Sequence, residues 1–454
     1  MLSDEVIEKV VERLVNRIEQ CNTYVLKKIG ESINKVGTLY PSKANQLVNV
    51  LKYGGDFEKI VEYIAEITKL NVKDIYKIFE EVAKVDYRFA KQFYDYKGIN
   101  YIPYEENIAL QNQVKALARI TANEYVNFSN TLAFAEVVDG KVHYTDLSKV
   151  YYNVIDEAVL SIAQGKDTFD SQMTKVIKEL SSSGIKTVDY ASGRAVRLDS
   201  SVRQHMKGAL RNLHNEMQAM FGEEFGSNGV EISVHLNPAP DHAEVQGRQF
   251  SKEEFYKFQN DEDSISYDGT VFSKEHDGKD RRSISQYNCY HYVFDVILGV
   301  SKPIYSDEEL KEIIENNNKG FEFDGKNYTN YEGTQLQRQI ETAIRREKDM
   351  QITLNAALSR NIKPENQEKM ITAFEKSKKK VRLLNDKYKR LCNVSGLPSK
   401  KERMRVSGYR NFSVDKYKSW CIIKVHLIDW LEAKIWQPLG DKSYVRLKFS
   451  RSNW

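Results

Sequence analysis

Val6, Ile7, Val10, Val11, Leu14, Val15 and Ile18 recur at helical steps with charged residues between them, which predicts an amphipathic helix over residues 4–34. Asp4 and Glu5 stand where the helix dipole favours negative charge. The same periodicity returns over Asp56–Lys69, with Gly54-Gly55 as the break before it. A third helix is predicted in NVKDIYKIFEEVAK, with Asn71 as N-cap and Ile75, Ile78, Phe79 and Val82 on one face. Asn107–Phe134 reads as a long amphipathic helix. Asp139-Gly140 between two short β-prone runs predicts a hairpin after it. Helices are expected again at residues 147–163 and 169–181. An extended piece in GIKTVDYASGR follows, then a helix capped by Asp199 or Ser200 that carries Val202, Met206 and Leu210 inward.

From Gly226 the pattern changes. GVEISVHL alternates like a strand, and Asp268-Gly269, Asp277-Gly278 and Asp324-Gly325 supply turns between short strand-like pieces. Two long helices, residues 335–358 and 364–391, are joined by SRNIKPEN and are expected to lie antiparallel, with Pro364 in a first turn. SYVRLKFS near the end reads as a strand. The expected class is α+β, predominantly helical. Five regions are expected: a helical 1–100, a helical 101–225, an α+β core at 226–334, a helical hairpin at 335–395 and a basic 396–454.

Hydrophobic residues at 41% and charged residues at 29% describe a globular chain, and no apolar run approaches the ~18 residues of a membrane span. The acidic, amphipathic start does not resemble a secretory signal, and Cys21, Cys289, Cys392 and Cys421 are scattered without a CxxC pair. A reducing compartment at synthesis fits this usage. The net charge of +4 hides an asymmetry: from Glu375 onward there are 21 Lys/Arg against 7 Asp/Glu. That excess predicts an acidic partner, nucleic acid or protein, unless it is only a solvated helix face. Lys378, Lys379, Lys380, Arg382, Lys400, Lys401, Arg403, Arg405 and Arg410 are the candidate contacts, with Tyr388, Tyr409 and Phe412 interleaved.

The least ordinary segments are NPAPDHAEVQGRQFS and QYNCYHYVF. His235, His242, Cys289 and His291 are residue types that zinc prefers, and Cys-x-His on an extended segment puts both side chains on one face. The spacing matches no strong finger pattern. The preferred reading is therefore a hydrogen-bonded structural cluster of His235, Asp241, His242, Gln246, Gly247, Cys289 and His291, with no metal or other cofactor assigned. Neither G-x-S-x-G, H-E-x-x-H nor a phosphate-binding loop occurs, and Cys289 among aromatic residues reads as a buried thiol. No catalytic residue is assigned.

NIALQNQVKALARITANEYVNFSNTLAF, GIKTVDYASGRAVRLDSSVRQHMKGALRN, HLNPAPDHAEVQGRQFS, NCYHYVFDVILGVSKPIYSDEEL and RMRVSGYRNF occur in this order. Together they resemble the minor capsid protein 2 family of tailed bacteriophages, relatives of the Mu F-like head morphogenesis proteins. VDYASGR with Arg203, and PDHAEVQG with the Cys/His segment and GVSKPIYS, are the most specific parts. Val245 stands where a tryptophan is common in that family, and Tyr290 where a further Cys or Arg is often found. Both departures bear on the metal reading more than on the family. The resemblance implies a non-enzymatic structural component of the virion head that passes through the host cytoplasm during assembly. It implies the portal protein and other head proteins as partners, with packaged double-stranded DNA as an alternative and no membrane.

Overall fold

The computed structural model describes residues 4–37, 56–130, 132–138, 141–146, parts of 174–184, 186–189, 194–260, 265–267, 270–284, 289–358 and 367–413. Helix α1 (Asp4–Gly37) has the predicted inner face: Ile7, Val11, Leu14, Val15 and Ile18 are buried, and Cys21, Val25, Leu26 and Ile29 extend it. Helix α2 (Asp56–Lys97) runs unbroken through both predicted helices. Asn71 is thus interior to a helix and caps nothing. Its Nδ2 donates to Tyr125 Oη at 2.7 Å and its Oδ1 accepts from Arg17 Nη1 at 3.1 Å. With its amide satisfied by neighbouring helices, Asn71 has no reason to turn back on its own backbone.

Helix α3 (Ile108–Asn130) ends before the predicted Phe134 because β1 (Leu132–Val138) begins there. It pairs with β2 (Lys141–Asp146), Val138 opposite Lys141, so the predicted hairpin forms around residues 139–140, which lie outside the described set. β3 (Lys186–Asp189) and β4 (Arg194–Arg197) complete an antiparallel sheet of order β2-β1-β3-β4. The helix predicted at 147–163 and the start of the one at 169–181 fall outside the described residues. Residues 174–181 are helical where described.

Helix α4 (Leu198–Phe225) buries Val202, Met206 and Leu210 as expected, but Arg197 precedes it and no side chain caps it. Asp199 lies in its first turn and faces inward instead. Asp199 Oδ2 accepts from Arg345 Nη1 at 2.5 Å and Oδ1 from Arg197 Nε at 3.2 Å, while Arg197 Nη2 reaches Asp349 at 3.1 Å. Burial opposes ionisation of Asp199, but the two guanidiniums outweigh it and hold the carboxyl well below its usual range. At Asp349 burial wins over Arg197 and pushes the carboxyl up. Arg203, singled out in the sequence, clamps α1 through Glu8 at 2.6 Å and Glu12 at 3.1 Å.

β5 (Gly229–Ile232), the short helix α5 (Pro240–Ala243), β6 (Gln249–Ser251) and α6 (Lys252–Gln259) follow, then the two small hairpins β7 (Ile265–Tyr267) with β8 (Thr270–Phe272) and β9 (Glu275–His276) with β10 (Lys279–Asp280). β11 (Val293–Val296) joins β5 and β6 in an antiparallel sheet of order β11-β5-β6. Helix α7 (Asp307–Lys319) starts from a Ser306/Glu309 capping box. The hairpin of β12 (Phe321–Phe323) and β13 (Lys326–Tyr328) leads into α8 (Asn330–Ala357). A Thr329/Glu332 capping box sets that start, five positions ahead of the predicted 335.

Helix α9 (Glu368–Ser395) packs antiparallel on α8, since Tyr388 meets Glu341 at 3.0 Å and Ser377 meets the Glu347 carbonyl at 3.1 Å. Pro364 and SYVRLKFS lie outside the described residues. One apolar cluster is shared by α1, α2, α3, α4 and the ends of α8 and α9 (Met350, Leu354, Met370, Phe374). At about 1.5–3 kcal/mol per buried large side chain, this burial outweighs local propensity in placing the helices. A second cluster lies under the β5 sheet, around Phe250, Phe255, Phe258 and Ile284. A third, around Phe323, Ile344, Tyr388 and Leu391, seats the outer end of the hairpin.

Candidate functional site

The two unusual segments meet beside β5. The antiparallel pairing of Val293 with Ile232 brings the chain before β11 alongside the chain after β5. Ser233 closes that junction: its N–H donates to the Tyr292 carbonyl at 2.9 Å and its Oγ accepts from the Tyr292 N–H at 2.8 Å. From there the proline-rich loop swings out and returns through α5, where Pro240 occupies the first turn and its missing N–H costs no hydrogen bond. His242 and Ala243 are the buried face of that turn.

Gln246 and Gly247 bring the loop back. Gln246 Oε1 accepts from the His235 N–H at 2.8 Å and from His291 Nε2 at 3.2 Å. Gly247 has φ +71° and donates its N–H to the Ile232 carbonyl at 2.7 Å. A Cβ there would lie 2.4 Å from Leu310 Cδ2 and 2.8 Å from Val234 Cγ2, so both conformation and space require glycine.

His242 Nε2 faces the Arg282 carbonyl at 2.7 Å, and its Nδ1 lies 3.5 Å from Cys289 Sγ. Cys289 Sγ is 3.3 Å from His291 Nδ1 and accepts from the His291 N–H at 3.4 Å. Cys289 and His291 therefore share a face, as their spacing predicts, although this stretch precedes β11 and is not itself strand. His242, Gln246, Cys289 and His291 are each no more than 2% exposed. Burial lowers the pKa of His242, and lowers that of His291 well below the ordinary histidine value, where His235 and His242 add to the effect.

His235 stands one step out, with Nε2 at 2.8 Å from the Tyr290 carbonyl. Asp241 points the other way and takes Arg282 through Nε and Nη2, both at 2.7 Å. Burial would raise its carboxyl, but the paired Arg282 lowers it to about 2. Two residues of this cluster were not singled out in the sequence. Arg281 is buried and bonds the Asp241 carbonyl, Glu244 and the Ser273 carbonyl, each at 2.6 Å, while Arg282 supplies the carbonyl for His242. The only sequence signal was an Arg-Arg pair after a turn. His235, His242, Arg282, Cys289 and His291 line one side of a cavity of about 1000 Å³, whose other walls include Glu8, Lys207, Tyr331, Arg338 and Arg403.

Val245 and Tyr290 are the two departures from the family pattern. Val245 is buried in the cluster under the sheet. Tyr290 lies against Arg211 and Arg338, with its Oη accepting from Arg338 at 3.1 Å.

The candidate basic contacts divide into two sets. Lys378 donates to the Phe412 carbonyl at 2.8 Å, Lys380 pairs with Glu347 at 2.6 Å, and Arg403 reaches Glu8 at 3.4 Å. Lys400 is half-buried, and its N–H donates to Tyr388 Oη at 2.8 Å. Lys379, Arg382, Lys401, Arg405 and Arg410 are exposed. Leu383, one turn beyond Lys379 on α9, is 60% exposed among them.

The sequence profile of the family described as phage minor capsid protein 2 matches residues 2–393, from α1 almost to the end of α9. The chain belongs to that family. This minor capsid protein is thus a structural component of the phage virion, and the match contains the whole His/Cys cluster. The exposed cations Lys401, Arg405 and Arg410 lie beyond the matched residues. Comparison with curated proteins and with solved structures yields no match. No helix among the described residues is long and apolar enough to cross a membrane.

Proposed function

We propose that this minor capsid protein is a non-enzymatic assembly factor of the phage head, docked at or beside the portal vertex through the exposed basic face of α9 and the segment after it. The observation that carries this reading is the character of that face. Lys379 and Arg382 surround an exposed Leu383, and Lys401, Arg405 and Arg410 continue the positive charge. Cations around an apolar residue suit an acidic protein surface with its own apolar centre. A phosphate backbone makes no use of the leucine. The cluster of Asp241, His242, Gln246, Gly247, Cys289 and His291 then serves to fix the shape of the loop that forms one cavity wall, with His235 as its outer contact.

The second reading, packaged double-stranded DNA as the acidic partner, rests on the same cations. The test is co-purification of the full-length chain with portal protein and procapsids from infected cells. Replacing Lys379, Arg382 and Leu383 by Glu, Glu and Ser is expected to abolish recovery in heads while leaving the circular dichroism spectrum unchanged. Undiminished incorporation would refute the docking surface. DNA affinity that falls steeply with salt, about 0.9 log units per log salt for each phosphate contact, and that vanishes in the same variant would favour the DNA reading.

A further inference from the structure

We propose that His242 Nδ1, Cys289 Sγ and His291 Nδ1 form a zinc-binding site that cross-links the proline-rich loop to the segment before β11. The three ligand atoms all lie within 4.8 Å of one another. The two sulfur–nitrogen separations are 3.5 and 3.3 Å. A tetrahedral zinc with Zn–S of about 2.3 Å and Zn–N of about 2.0–2.1 Å places its sulfur and nitrogen ligands about 3.5 Å apart. The two sulfur–nitrogen edges of such a tetrahedron are thus already close to their bound lengths.

The tautomers agree with this geometry. His242 Nε2 faces a backbone carbonyl, which only accepts, so it carries the proton and leaves Nδ1 as a lone pair. His291 Nε2 faces Gln246 Oε1, and that oxygen is identified by the His235 N–H that also points at it. Both imidazoles therefore direct the unprotonated Nδ1 at the same sulfur, and a metal ion with a thiolate accepts both lone pairs at once.

Carbonyl oxygens on the far nitrogen of each ring are the outer contacts that ordinarily orient zinc-bound histidines. The Asp241–Arg282 pair fixes one of these, since it holds the residue whose carbonyl His242 meets. One sulfur and two nitrogens, with no carboxylate among them, select zinc over calcium or magnesium. The fourth position falls to water from the cavity that all three side chains help to line.

The site ties together positions 47 residues apart in a part of the chain whose sheet has short strands. The expected result for purified full-length protein is about one zinc per chain by elemental analysis. Cobalt substitution should give a thiolate-to-cobalt charge-transfer band. Cys289→Ser should lose the band and most of the zinc, whereas Cys392→Ser should keep both. Gln246→Ala, which changes only a positioning contact, should weaken zinc binding about 10–100-fold. If the Cys289 variant fails to fold, alkylation of the wild-type chain decides. Cys289 should react after chelation and regain protection when zinc is restored. Folded full-length protein that takes up neither zinc nor cobalt, zinc retained in Cys289→Ser, or Cys289 reactivity indifferent to chelation would each overturn the proposal.

Discussion

Asp199→Asn removes one negative charge from a group of four buried side chains and leaves its shape almost unchanged. Arg197, Asp199, Arg345 and Asp349 are each at most 10% exposed, and Asp199 contacts both arginines. After the substitution two guanidiniums share the single carboxylate of Asp349, which burial already pushes towards its neutral form. Removing one partner of a buried ion pair costs about 3–5 kcal/mol. At an effective dielectric of about 20, one charge pair at 4 Å is worth about 4 kcal/mol, in agreement with that range. With roughly 2–4 °C per kcal/mol for a large domain, the midpoint of thermal unfolding should fall by on the order of 10 °C. The measurement is a thermal melt followed by circular dichroism, dominated by the helices that this network joins.

A second variant separates charge from packing. Asp199→Leu with Arg345→Met removes both partners of the shortest contact and should recover much of the loss, because apolar side chains of similar size avoid the desolvation of an unmatched ion. A single Asn substitution within about 1 kcal/mol of wild type, or a double variant no better than the sum of its parts, would refute the reasoning.

Other positions give independent checks. Burial and nearby Asp199 raise the Glu19 carboxyl to about 8, so the folded state holds a proton that the unfolded chain releases at its ordinary value of 4.5. Stability contributed by the protonated form is therefore present below 4.5 and lost as pH rises from there to about 8; Glu19→Gln should flatten urea midpoints across that window. Gly247→Ala, which forces a side chain into both a left-handed backbone and the Leu310 contact, should destabilise by more than about 1 kcal/mol in urea melts, with Gly226→Ala as a milder comparison because open space surrounds it. Exchanging Tyr388 for Phe removes hydroxyl contacts to Glu341 and the Lys400 N–H, and should lower stability by about 1–3 kcal/mol in the same assay.

Helix faces were legible without coordinates because a 3.6-residue period records which side of a helix meets a core: Ile7 to Ile18 and Val202 to Leu210 are buried as read. The antiparallel hairpin of α8 and α9 followed from two long periods and a short connection. Polar residues were misread where a remote partner outweighed a local role. Asn71 has the side chain of an N-cap but bonds Tyr125, and Asp199 stands at a helix start but answers Arg345.

The candidate cluster divides the same way. Residue types and the Cys-x-His spacing marked out Cys289 and His291 and predicted their common face. That His242 Nδ1 would arrive from 47 positions away, and that Arg282 and Gln246 would fix both rings, followed only from the β5–β11 pairing. The amino-acid order alone determined which helix faces are apolar and which groups can ionise or ligate. The folded chain decided which of those groups meet, because charge and hydrogen-bond complementarity depend on distances that no sequence spacing encodes.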